Sequence, residues 1–182
     1  METIEFQQLD ETLYYKQLNN GLDVYILPKK GFSKTFVTFT TKYGSVDRTF
    51  VPLGETEPIT VPDGIAHFLE HKMFEKEDGD VFQKFSEVGA QANAFTSFTR
   101  TAYLFSATDH IYKSTETLLN FVQEPYFTEE TVNKEKGIIG QEITMYDDQP
   151  DWRLYFGAIE NMYHNHPVKI DIAGTIESID GI

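Results

Sequence analysis

Apolar and polar positions alternate along much of the first half of the chain and again near residue 100. Ser33–Tyr43, SKTFVTFTTKY, mixes Phe and Val with Thr over a long run and predicts a strand. Thr12–Gln17 and Asp23–Leu27 predict two short strands around the turn Asn19-Asn20-Gly21, and Arg48–Val51 a further short one. Ala92–Phe98 and Thr101–Thr108 read as a hairpin. Helical spacing takes over elsewhere. Gly64–Glu77 predicts a mostly buried helix with Asp63 as its N-cap. Val81–Val88 predicts a short helix, opened by a capping box of Asp80 and Gln83 and closed by Gly89. Asp109–Glu124 is amphipathic and stopped by Pro125. Thr128 opens a longer helix to Tyr146, and Asp151–Tyr163 predicts another. Thr175 caps a last helix, TIESIDGI, within the final residues. Strands first, then helices mixed with a hairpin, predict an α+β fold: an antiparallel sheet of about five to six strands with helices on one face. The expectation is one domain over residues 1–182, incomplete at its C-terminal end.

Composition narrows the function classes. The chain has 182 residues, 40% hydrophobic and 14% aromatic, as a globular domain does. Its net charge of −14 argues against nucleic acid and anionic membranes as partners. No apolar run is long enough to span a membrane and no signal peptide is visible, so the expected location is cytoplasmic. There is no cysteine, so any metal must be held by histidine and carboxylate.

The chemistry concentrates in Gly64–Glu75, GIAHFLEHKMFE. On a helix His67 and His71 lie one turn apart on one face, with Glu70 on the same side. Two such imidazoles can hold one zinc ion, and the carboxylate is placed to take a proton from water activated there. The pattern H-x-x-E-H is the inverse of the H-E-x-x-H zinc motif. Its bland alternative is an amphipathic helix with histidines at the edge of a core. A catalytic zinc takes three protein ligands, so a third is needed. Glu135 and Glu142, seven residues apart on one helix face, are candidates that spacing does not separate. His110, His164 and His166 are weaker ones, more often surface histidines. Gly137 and Gly140 between the two glutamates suggest a close approach by the histidine helix.

Three blocks together resemble the pitrilysin/insulinase family of inverzincin zinc peptidases, in particular its bacterial processing-peptidase-like members. They are His67–His71, the stretch Gly89–Tyr103 with Asn93-Ala94-Phe95-Thr96-Ser97, and Glu135–Glu142. The resemblance covers about Asn20 to the end of the chain. It implies one zinc per chain on His67, His71 and Glu142, with Glu70 as general base. It also implies Glu135 as a group that orients a histidine or transfers a proton. Asn93, Ala94 and Phe95 would be the substrate-binding edge, and the fold would be the metalloprotease half-domain of that family. The implied substrate is a peptide or small protein. The implied partner is a related second half, on the same chain or another subunit. The alternative is a non-catalytic or inert piece that binds peptide but needs that half for turnover. A purely structural zinc site is disfavoured by Glu70 and by the ligand count of three.

Overall fold

In the computed structural model, which describes residues 1–182, the chain divides into two compact units, Met1–Lys34 and Thr35–Ile182. The first is an antiparallel meander of Glu2–Phe6 (β1), Glu11–Gln17 (β2) and Asp23–Ile26 (β3). Across β2 and β3, Tyr15 stacks on Tyr25 at 4.9 Å, and its hydroxyl donates to Asp23 Oδ1 at 2.7 Å. Strand β1 has no counterpart among the expected elements. ETIEF carries only two large apolar residues and is exposed throughout, so its order comes from pairing with β2 rather than from burial.

The second unit is built on the sheet β4-β10-β9, from Thr35–Thr41 (β4), Gln91–Thr96 (β9) and Thr101–Ala107 (β10), all antiparallel. Central β10 is the most buried strand. Its Tyr103, Phe105 and Ala107 face the helices together with Val37 and Phe39 of β4 and Ala92 and Ala94 of β9. Over that face lie Ile65–Phe74 (α1), Val81–Ser86 (α2) and Ile111–Phe121 (α3), whose Phe74, Phe85, Leu118 and Phe121 complete the core. Two small ribbons, Thr49–Phe50 with Ile59–Thr60 (β5, β6) and Glu75–Lys76 with Gly79–Asp80 (β7, β8), edge this layer. Glu129–Asp147 (α4), Pro150–Met162 (α5), a 3-10 turn at Pro167–Lys169 and Ile176–Asp180 (α6) follow. Ile139 of α4, Phe68 of α1 and Ile179 of α6 form a second buried cluster that joins these helices. The α+β class and the antiparallel pairing are as expected, but the strands are divided between two three-stranded sheets and two ribbons rather than gathered in one.

Several local expectations change. Helix α1 ends at Phe74, not Glu77, because Glu75 and Lys76 turn into a tight ribbon. Its N-cap is Gly64, at φ 87°, with no side-chain capping bond, while Asp63 forms an ion pair with Arg48 instead. Gly64 is required twice over. Its backbone is left-handed, and any Cβ there would run into the Ala173 carbonyl. Gly174, at φ 76°, meets the Asp63 carbonyl from the other side, and Ser178 Oγ donates to that carbonyl at 2.9 Å. Asp80 caps α2 by accepting the Phe82 N–H at 2.8 Å, without a return bond from Gln83. Capping boxes form elsewhere: Thr128 and Thr131 make one at the start of α4, and Thr175 and Ser178 make another that opens α6. Gly137 and Gly140 have nothing within 4 Å of where a Cβ would sit, so they admit no neighbouring helix. The approach of α4 to α1 runs through Ile139 and Phe68 instead.

Candidate metal centre

Helix α1 presents His67, Glu70 and His71 toward α4 and strand β9. Phe68, on the flank of α1 beside His71, packs against Ile139, which fixes the roll of both helices. Glu135 and Glu142 lie one turn before and one turn after Ile139 and therefore both look toward α1. They reach different atoms. Glu135 Oε1 lies 2.8 Å from His71 Nδ1, and since a carboxylate only accepts, the ring nitrogen donates. Glu142 Oε2 lies 3.7 Å from His67 Nε2 and 3.5 Å from His71 Nε2. The two imidazoles meet at an angle of 62°, centroids 4.5 Å apart.

This geometry suits a tetrahedral ion. Ligands at the usual zinc distances sit about 3.4 Å from one another, close to the spacing seen here. His67, His71 and Glu142 each offer an atom within 4.8 Å of the others. Two nitrogens, one oxygen and no fourth protein donor is the donor set of an open, catalytic site rather than a closed structural one. Glu135 holding Nδ1 leaves Nε2 of His71 as the free donor. His67 Nδ1 is buried with no partner.

The electrostatics follow from burial and crowding. Burial, then the neighbouring His71, pushes the His67 imidazole down to about 4, so it is neutral. Burial also pulls on His71, but the Glu135 hydrogen bond and the charges of Glu70, Glu135 and Glu142 outweigh it and leave it above its ordinary value. Glu70 is held above the usual carboxylate range by burial, helped by Glu142 and opposed by the Thr96 hydroxyl and His71. Thr96 Oγ1 donates to Glu70 Oε2 at 2.9 Å and ties the carboxylate to strand β9.

Strand β9 is an edge strand, paired only with β10. Asn93 and Phe95 are exposed on it, while Ala94 faces the helices. Asn93 Oδ1 accepts the Ala94 N–H at 2.9 Å on the exposed edge. The other histidines stay apart. His110 is the left-handed N-cap of α3, and His166 Nδ1 accepts the Val168 N–H at 3.1 Å to cap the 3-10 turn. Three further residues border the centre that motif reading passes over: Thr96, Tyr146 and Trp152. Tyr146 follows Glu142 by one helical turn, and Thr96 follows Ala94 on the inward side of β9, so their spacing was the available signal.

The family description "Insulinase (Peptidase family M16)" matches residues 51–176. The chain is 71% identical over 182 residues to the uncharacterized zinc protease YmfH of Bacillus subtilis (strain 168), covering all of this chain and 42% of that protein. The structure of an M16-like peptidase from Alicyclobacillus acidocaldarius superposes with a TM-score of 0.90 at 49% identity, over 98% of this chain and 41% of that one. Pitrilysin shares the fold alone, with a TM-score of 0.75 at 18% identity over 98% of this chain and 19% of its own. The chain therefore spans about two fifths of the length of its more similar relatives. It belongs to the insulinase family of peptidases, family M16.

Proposed function

We propose that this chain is the metal-binding part of a zinc-dependent endopeptidase, with one zinc held by His67, His71 and Glu142. The observation that carries the reading is the meeting of these three side chains, from α1 and α4, beside the half-buried Glu70 carboxylate. When bound, zinc would polarise the peptide carbonyl and acidify the attacking water. The Glu70 carboxylate would take a proton from the attacking water and return it to the departing amine nitrogen. The raised proton affinity of Glu70 suits both halves of this transfer, because a group that binds protons weakly is a poor base. Thr96 fixes the carboxylate rotamer, and Glu135 fixes the ring of His71.

An extended peptide adds to the free edge of β9 as a further strand, along Asn93, Ala94 and Phe95. The substrate is a peptide or small protein. No helix is long and apolar enough to cross a membrane, and we place the activity in the cytoplasm. A second reading is favoured by length. The chain covers only about two fifths of relatives such as YmfH, so a related second half supplies the remaining substrate contacts and these residues alone are inert.

The test is zinc content by elemental analysis together with peptide cleavage by the chain alone and with the rest of the protein. About one zinc per chain and cleavage lost in Glu70→Gln support the reading. Cleavage at an unchanged rate in that variant would overturn the mechanism, and absence of zinc would overturn the site.

A further inference from the structure

Helix α4 turns one stripe of side chains toward α1. Glu135, Ile139, Glu142 and Tyr146 follow one another at spacings of four, three and four residues, which keeps them on one face. Glu135 holds His71, Ile139 packs on Phe68, and Glu142 approaches both histidines. Tyr146 ends the stripe, half-buried, and lines the same pocket as His67, Glu70, His71 and Glu142. Its ring is clamped. Trp152 stacks on it at 4.5 Å and 25°. Trp152 is fixed in turn by its indole N–H, which donates to Asp171 Oδ2 at 2.8 Å, and by Phe156 at 5.0 Å. Burial raises the proton affinity of the Tyr146 phenol first, and the Glu142 carboxylate beside it raises it further, by charge and by hydrogen bonding. The phenol therefore keeps its proton, and since a carboxylate only accepts, the hydroxyl is the donor.

We infer that Tyr146 is a positioning residue of the metal centre, whose hydroxyl donates to Glu142 and holds that carboxylate with Oε2 turned to the two histidines. The inference rests on the reading of His67, His71 and Glu142 as metal ligands. Glutamate is among the side chains that lose most rotamer freedom when ordered. Left free, Glu142 would lose that freedom only on taking up the ion, and affinity would fall. Held by a clamped phenol, it is ordered beforehand. The same restraint opposes a swing that would bring both carboxylate oxygens onto the ion, and so keeps the fourth position for water. Labour is divided along α4. Glu135, seven residues before Glu142, fixes an imidazole, and Tyr146, four residues after it, fixes the carboxylate. One helix thus orients two of the three ligands.

Tyr146→Phe tests this, because it removes the hydroxyl and keeps the ring that stacks on Trp152. The probes are zinc alone and cobalt(II) alone, added to the 182-residue chain. Zinc affinity by chelator competition is expected to fall about 10–100-fold, the usual loss when a group that orients a metal ligand is removed. The visible absorption of the cobalt(II)-loaded chain, which reports the arrangement of donors around the ion, should change with it. The urea midpoint and the tryptophan emission should stay as in wild type. Trp152 is the chain's single tryptophan, so its emission reads the stack directly. In a Glu142→Gln background the same substitution should cost less than about twofold more, because the hydroxyl acts through Glu142. Zinc affinity within about twofold of wild type in Tyr146→Phe overturns the inference. A loss of affinity that comes with an equal loss of stability or a shifted emission also overturns it, since Tyr146 would then act by packing. An undiminished loss in the Glu142→Gln background does the same. Zinc binding that depends on Glu142 and ignores Tyr146 overturns the inference and leaves the metal-centre reading. No zinc on the wild-type chain, or binding unchanged in Glu142→Gln, overturns both.

Discussion

Ile139→Ala tests whether packing between α1 and α4 sets the geometry of the centre. Ile139 is fully buried, against Phe68 at 1% exposure and Ile179 at 1%. Truncation removes three buried carbons and leaves a cavity, since Phe68 and Ile179 are anchored on separate helices. Such a change costs about 2–5 kcal/mol, and Ile139→Val about 0.5–1.5 kcal/mol. Glu135 and Glu142 flank Ile139 on the same helix face, so the loss falls on the contact that brings both carboxylates to the histidines. Were about 2 kcal/mol of it transmitted to the site, zinc affinity would fall about thirtyfold, a tenfold change being about 1.4 kcal/mol. Urea unfolding of the metal-free chain reads the first quantity and chelator competition the second. Valine should fall between wild type and alanine in both. A loss of stability under about 1 kcal/mol in Ile139→Ala would refute the packing argument. A full loss with zinc affinity unchanged would refute the link between this contact and Glu142.

Three other outcomes are expected. Glu142→Gln should weaken zinc retention against a chelator more than Glu135→Gln, whose loss should be about 10–100-fold because it acts only through the His71 ring. The metal-free chain should lose stability in acid through His67. Its folded value of about 4 lies below the ordinary 6.5, so the unfolded chain takes the proton first; the contribution is intact above about pH 6.5 and shrinks by about 3 kcal/mol as pH falls toward 4. Denaturation midpoints against pH should show that limb flattened in His67→Asn, and an unchanged limb would count against it. Gly64→Ala should cost about 2 kcal/mol or more, from the left-handed backbone and the clash with the Ala173 carbonyl, and a thermal melt unchanged from wild type would contradict this.

The elements that the sequence makes legible are those whose cause is local. The i, i+4 spacing of His67 and His71 needs only one helical turn to bring them together, and the Phe-Thr-Val run of β4 needs only its own pleat. The choice between Glu135 and Glu142 is not local. Both lie on one face of α4, and only the roll set by Ile139 on Phe68 sends one to Nδ1 of His71 and the other to the two Nε2 atoms. Asp63 carries good capping chemistry, yet Arg48 claims it. Gly137 and Gly140 looked like contact points and face open space. Lys72 shows the same limit from the other side. It is a charged residue next to the motif, yet it is fully buried, with its ammonium 2.5 Å from Glu75. Trp152 gave no signal at all, because its neighbour Asp171 is 19 residues away.

The seam between Gly64 and Gly174 has a consequence for how the chain is made. Ser178 and the Asp63 carbonyl that it binds are 115 residues apart. At about 5–20 residues per second, the start of the histidine helix leaves the ribosome roughly 6–23 s before its clasp exists. During that interval α1 lacks the partner that holds its first turn, and of the residues that cover its apolar face Ile139 comes only part-way through and Ile179 after its end. The clasp is therefore made well after the motif and its carboxylates, and a nascent chain stalled before Gly174 should carry them with the first turn of α1 left unclamped.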